Sequence, residues 1–154
     1  MNIIPPYEEA LAILESSTFI CEDIDIWTPD RNLKMAHSVC CGLLTPLGER
    51  TSLMVELFVK DSPKTKEKHY KFSLFRRENI GNSRIYQLDV RITRKPIKHT
   101  HALSHEHIGR KRIEADPSWD SWQYDDVLRY FCSRSGVKFN PPPKNPDVID
   151  LRGN

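Results

Sequence analysis

The sequence predicts an α+β domain: a five-stranded antiparallel β-sheet, connected as a meander, with an N-terminal helix and a C-terminal helix packed on it. Three observations predict it. Alternation of apolar and polar side chains with period two recurs in five runs between residues 18 and 93, the pattern of strands with one buried face. Short polar or breaker-rich connections join those runs. Helical spacing is confined to one segment near each end. A chain of 154 residues is long enough for one well-buried core and short for two. Residues 1–138 are therefore read as a single α+β domain and residues 139–154 as a Pro-rich extended or disordered tail.

In chain order, Pro5 and Pro6 precede Tyr7 to Ser16, where Tyr7, Ala10, Leu11 and Leu14 form one stripe. Glu8 and Glu9 fall in the first turn, where the helix dipole favours negative charge. Period two begins at Thr18 and runs to Trp27, TPDRN at 28–32 is a turn, and Lys34 to Thr45 is a second strand ended by Pro46 and Gly48. Arg50 to Lys60 gives the cleanest alternation: Leu53, Val55, Leu57 and Val59 lie opposite Ser52, Met54, Glu56, Phe58 and Lys60, so a central strand is expected. The polar loop at 61–68 leads to His69–Arg77, the turn at 78–83 to Arg84–Thr93, and Pro96, lacking an amide hydrogen, ends the fifth strand or puts it at an edge. Asp120 to Ser135 carries Trp122, Val127, Tyr130 and Phe131 at helical spacing with Gly136 as its stop.

Composition narrows the function classes. Hydrophobic residues make up 38% and charged residues 29% of the chain, and no apolar run approaches the roughly 18 residues of a membrane span. No membrane partner is expected, and the N-terminus lacks the pattern of a secretory signal. Cys21, Cys40, Cys41 and Cys132 show no CxxC or other metal spacing. They are read as reduced thiols of a cytoplasmic protein, with the adjacent pair pointing to opposite faces of a strand. Trp119 and Trp122 are read as core or interface anchors.

Charge is unevenly distributed. Residues 1–61 carry 4 basic and 10 acidic side chains, residues 62–113 carry 14 and 4, and residues 114–154 carry 5 and 7. The basic middle also holds His99, His101, His105 and His107 within nine residues, with Glu106 between the last two. Arg91, Arg94, Lys95 and Lys98 precede the cluster, and Arg110, Lys111 and Arg112 follow it. Lys and Arg bind phosphate with release of condensed counterions, so this concentration points to a polyanion, RNA, as partner. Tyr70, Arg76, Arg77 and Tyr86 are secondary candidates for nucleotide contacts.

Two chemistries suit the cluster. In the first, histidines act as acid and base on RNA without a metal: one takes the proton of a ribose 2′-hydroxyl, another protonates the leaving 5′-oxygen, and arginines stabilise the transition state. His99, His101, His105, His107 and Glu106 are the catalytic candidates, and the seven flanking cations are the nucleic-acid-binding set. In the second, the four imidazoles hold zinc or another divalent metal with Glu106 as an oxygen ligand. Flanking cations would repel the ion, so no cofactor is the leading expectation.

IKHTHALSHEHIG, preceded by a strand rich in Tyr, Leu and Arg and followed by DDVLRYFCSRSGV, resembles the TumE-like group of small bacterial toxin-antitoxin proteins and related families with an H…HxH motif. The resemblance spans about residues 68–138 and rests on His99 or His101 with His105 and His107. Pro96 is separated from His99 by two residues, and the aspartate usual before that proline is absent. The resemblance implies an RNA-acting toxin, an endoribonuclease, paired with a helix-turn-helix antitoxin. The alternative from another class is a noncatalytic protein-binding module, an inhibitor or a defence or anti-defence protein.

Overall fold

The computed structural model describes residues 4–16, 18–22, 24, 26–62, 64, 67–93 and 103–147. Helix α1 (Tyr7–Ser16) is followed by strands β1 (Phe19–Cys21), β2 (Thr28–Pro29), β3 (Ala36–Leu44), β4 (Arg50–Ser62), β5 (Glu67–Glu78) and β6 (Gly81–Thr93). Beyond them come β7 (His105–Ile108), β8 (Lys111–Glu114), a 3-10 turn (Pro117–Ser121), helix α2 (Tyr124–Ser135) and β9 (Val137–Phe139). One sheet contains all nine strands in the order β8-β7-β6-β5-β4-β3-β1-β9, with β2 pairing β3.

This corrects the expected five-stranded meander. The meander exists as β3 to β6, antiparallel throughout. The sheet, however, continues through the β7–β8 hairpin on one side and through β1 and β9 on the other, and β1 pairs with β9 in parallel. It is a nine-stranded mixed sheet. The additional strands, including β2 at the start of the expected 28–32 turn, are two to four residues long, too short to show periodicity. Of the run at 18–27, β1 is Phe19–Cys21, whose three residues pair with the distant β9 and whose Ile20 pairs with Leu44 of β3.

The core lies between the sheet and the helices. Leu53, Val55, Leu57 and Val59 of β4, Tyr70, Phe72 and Leu74 of β5, and Tyr86, Leu88 and Val90 of β6 all face it and are buried, as period two requires. Helix α2 seats Val127 and Phe131 on this face, with the Phe131 ring edge-on to Phe72 at 5.9 Å. Its N-terminus is held by Asp126 Oδ2, which accepts from Gln123 N at 2.9 Å, and it ends at Gly136 with φ 75°. There the left-handed turn favours the missing Cβ. The expected helix from 120 instead starts with the 3-10 turn, because Asp116 accepts from Ser118 N at 2.9 Å next to Pro117. This turn buries Trp119, stacked on Trp122 at 4.6 Å between centroids.

Helix α1 packs on the same face at the other end of the strands. Arg76, in line with Leu74, donates to Glu9 Oε1 at 3.2 Å, and Ala10 is fully buried. Gly109 in the β7–β8 turn has φ 56°, and a Cβ there would stand 2.5 Å from the Pro5 carbonyl oxygen, so only glycine lets the hairpin meet the helix entry. The chain after β9 is irregular but tied to the core as far as 147. Lys144 O accepts from Trp27 Nε1 at 2.8 Å, and Asp147 accepts from Tyr70 OH at 2.7 Å and Lys68 Nζ at 2.6 Å.

The cysteines also differ from expectation. Cys41 does turn away from Cys40, which is exposed. Cys41 and Cys21 are, however, joined as a disulfide across the β1–β3 pair, with Cα atoms 6.5 Å apart. Pairing Ile20 with Leu44 brings these two positions together, a nonlocal fact that spacing in the sequence does not carry. No helix among the described residues is long and apolar enough to cross a membrane.

Candidate nucleic-acid interface

The face of the sheet opposite the helices is polar. Among the described residues no helix packs on it. It is built by the alternate positions of the strands whose other positions form the core. Strand β4 contributes Met54, Glu56, Phe58 and Lys60, β5 contributes His69, Lys71, Ser73 and Phe75, and β6 contributes Arg84, Gln87, Asp89 and Arg91. Pairing Gln87 with His107 and Asp89 with His105 adds both histidines of β7, and pairing His107 with Arg112 adds β8.

Asp89 is the centre of this surface. It is buried, and its Oδ1 accepts from His69 Nε2 at 2.9 Å and lies 3.6 Å from Arg91 Nε. Burial pushes its carboxyl up, but the His69 hydrogen bond and the positive charge of His69, His105 and Arg91 outweigh burial and leave it below the ordinary carboxylate value. His105 approaches from the strand on the other side. Its Nδ1 donates to Leu103 O at 3.2 Å, which leaves Nε2 as the acceptor of the neutral ring. The His105 and His107 rings stand edge to face, 4.8 Å between centroids. Burial first, and then the charges of Arg84, His105 and Arg112, lower the His107 pKa to about 4, so this ring is neutral at pH 7.

Aromatic groups are interleaved with these charges. The Phe58 ring has Lys71 Nζ at 5.3 Å from its centroid and the His69 ring edge-on at 5.7 Å. Gln87 Nε2 donates to Ser73 Oγ at 2.9 Å and fixes the middle of the face. Aromatic rings and cations alternating on an open sheet suit the stacked bases and phosphates of a single-stranded nucleic acid.

The residues expected from sequence divide sharply. His105, His107, Arg91 and Arg112 share the open face. Glu106 does not: it is 2% exposed and faces α2, where its carboxylate accepts from Tyr130 OH at 2.5 Å, Arg134 Nε at 3.1 Å and Tyr86 OH at 3.3 Å. Arg110 donates from Nε to Ile4 O at 2.9 Å in the hairpin turn, and Lys111 lies over the Tyr7 ring at 4.6 Å, so neither belongs to the histidine surface. His99, His101, Arg94, Lys95 and Lys98 lie outside the described residues. Of the secondary candidates, Tyr70 and Tyr86 are core residues, Arg76 is paired with Glu9 and Glu78, and Arg77 is exposed.

His69, Asp89, Arg84 and Phe58 were not candidates from sequence. The signal for them was present in the alternation that identified Tyr70, Phe72 and Leu74 as inward: it places His69 and Lys71 outward. As for a metal, no group of three His, Cys, Asp or Glu side chains among the described residues is arranged to hold one, and Glu106 is separated from the histidines by the sheet. Comparison with known proteins yields no likeness: no family model matches the chain, and no curated protein or solved structure does.

Proposed function

We propose that this chain binds single-stranded RNA on the open face of its sheet and cleaves it without a metal, as a small toxin-like endoribonuclease. The observation that carries the reading is the placement of His69 and His105 on either side of the buried Asp89, among Phe58, Lys71, Arg91 and Arg112. His105 Nε2 takes the proton of a ribose 2′-hydroxyl as that oxygen attacks phosphorus. The bond from phosphorus to the 5′-oxygen breaks, and His69, oriented by its hydrogen bond to Asp89, gives that oxygen a proton. The products are a 2′,3′-cyclic phosphate and a 5′-hydroxyl. Phe58 and Phe75 provide surfaces for bases, and the arginines meet the phosphates. In this reading an antitoxin or other protein partner would silence the protein by covering the same face.

The test uses a uridine- and adenine-rich RNA oligomer in the presence of a chelator. Cleavage should persist, should be absent for the 2′-deoxy oligomer, and should fall on the order of 10²-fold in His105→Ala and in His69→Ala. Binding should weaken steeply with added salt. A chain that neither binds nor cleaves the oligomer at low salt overturns this reading and leaves the noncatalytic protein-binding module in its place.

A further inference from the structure

The open face carries two polar atoms with no hydrogen-bond partner, on residues close enough for the Arg84 charge to act on His107. Arg84 Nε and His107 Nδ1 are both buried and unpartnered. Arg84 sits next to the extra residue of a bulge in β6: Leu74 pairs with Tyr86 and Phe75 with Arg84, leaving Ile85 unopposed. The bulge puts Arg84 on the same sheet face as Gln87, the residue opposite His107. Arg112 flanks the pair from β8, opposite His107. Its Nε is 2.7 Å from Glu114 Oε1, and its side chain is otherwise 46% exposed. A buried guanidinium nitrogen without an acceptor costs free energy in the isolated chain. Burial alone accounts for the lowering of the Arg84 pKa, with no carboxylate to counter it, so an anion here meets an uncompensated cation.

We propose that Arg84, His107 and Arg112 form a phosphate subsite one strand position away from the His69–Asp89–His105 centre, binding a phosphate adjacent to the scissile one through the part-exposed guanidinium of Arg84 and the ring of His107. The proposal rests on the RNA reading for its biological ligand, but the shared chemistry is a phosphate oxyanion, free or within a nucleic-acid backbone. In this assignment His107 is a positioning residue, and the proton chemistry belongs to its neighbours. The neutral ring donates from one nitrogen to a phosphate oxygen and needs no proton of its own to exchange.

The experiment follows the arginine Nε–H resonances of the full chain by NMR while inorganic phosphate is added, and separately measures binding of an uncleavable 2′-O-methyl oligomer. The Arg84 resonance should shift saturably with phosphate while that of exposed Arg129 does not. Arg84→Lys, which keeps the charge and loses the fork, should weaken oligomer binding about tenfold, and His107→Asn should weaken it several-fold, with thermal unfolding unchanged in both. If the oligomer binds the wild-type chain and both variants equally, the subsite is refuted while RNA binding stands. A phosphate response at Arg84 in a chain that binds no oligomer supports the subsite and refutes the RNA reading. Arg84 and Arg129 shifting alike, without saturation, refutes the subsite.

Discussion

The two faces of β7 hold neighbouring residues under opposite conditions. On the helix side Glu106 is 2% exposed, yet three donors from β6 and α2 satisfy it. On the other side His105 and His107 are partly exposed, and one nitrogen of His107 has no partner. A buried charge persists only when fully hydrogen-bonded, so the Glu106 cluster joins the last helix to the sheet. Tyr130 there is pushed well above the ordinary phenol value by burial and by Glu106, so it remains a proton donor to the carboxylate. The histidine face keeps unspent hydrogen-bonding capacity, which a ligand can use. Polar side chains one residue apart thus serve cohesion on one side and, in the proposed function, recognition on the other.

The comparison can be broken most forcefully in the apolar core of the helix side. Leu57 is fully buried in β4, and Leu57→Ala should cost about 2–5 kcal/mol, read by chemical denaturation. A loss under about 0.5 kcal/mol would mean that the face does not pack as described. Glu106→Ala comes next. It strands the Tyr86 and Tyr130 hydroxyls and the partly exposed Arg134, and should cost roughly 1–3 kcal/mol while leaving the proposed RNA binding intact. Loss of binding at unchanged stability would place Glu106 in the recognition surface instead.

A smaller effect is expected from pH. The folded His107 pKa of about 4 lies below its ordinary 6.5, so between those values the unfolded chain binds more protons than the folded one. The contribution of this residue to stability is complete above pH 6.5 and declines as pH falls toward 4. His107→Asn should flatten that part of the stability profile, measured by denaturation at several pH values. An unchanged slope would show that the histidine is not held neutral. The smallest effect is expected for His105→Ala, which should change stability by less than about 0.5 kcal/mol. Its fold, followed by circular dichroism and thermal melting, should match the wild type even where cleavage is lost.

What the sequence determined by itself is whatever local pattern encodes. Tyr7–Ser16 is helical because its apolar stripe and first-turn acids agree. Leu53, Val55 and Leu57 point inward because alternation allows one face to be buried, and Gly136 stops α2 because only glycine takes a left-handed turn at little cost. The same rule separates Glu106 from His105 and His107 on a strand, although the clustering of the residues in sequence suggested a single site. Only the tertiary structure decided the rest. The strands β7, β8 and β9 are too short to show a period, and β9 is defined by parallel pairing with a strand more than a hundred residues away. The Cys21–Cys41 bond and the approach of His69 to Asp89 likewise depend on register between strands, which sets contacts across the sheet that no spacing along the chain contains.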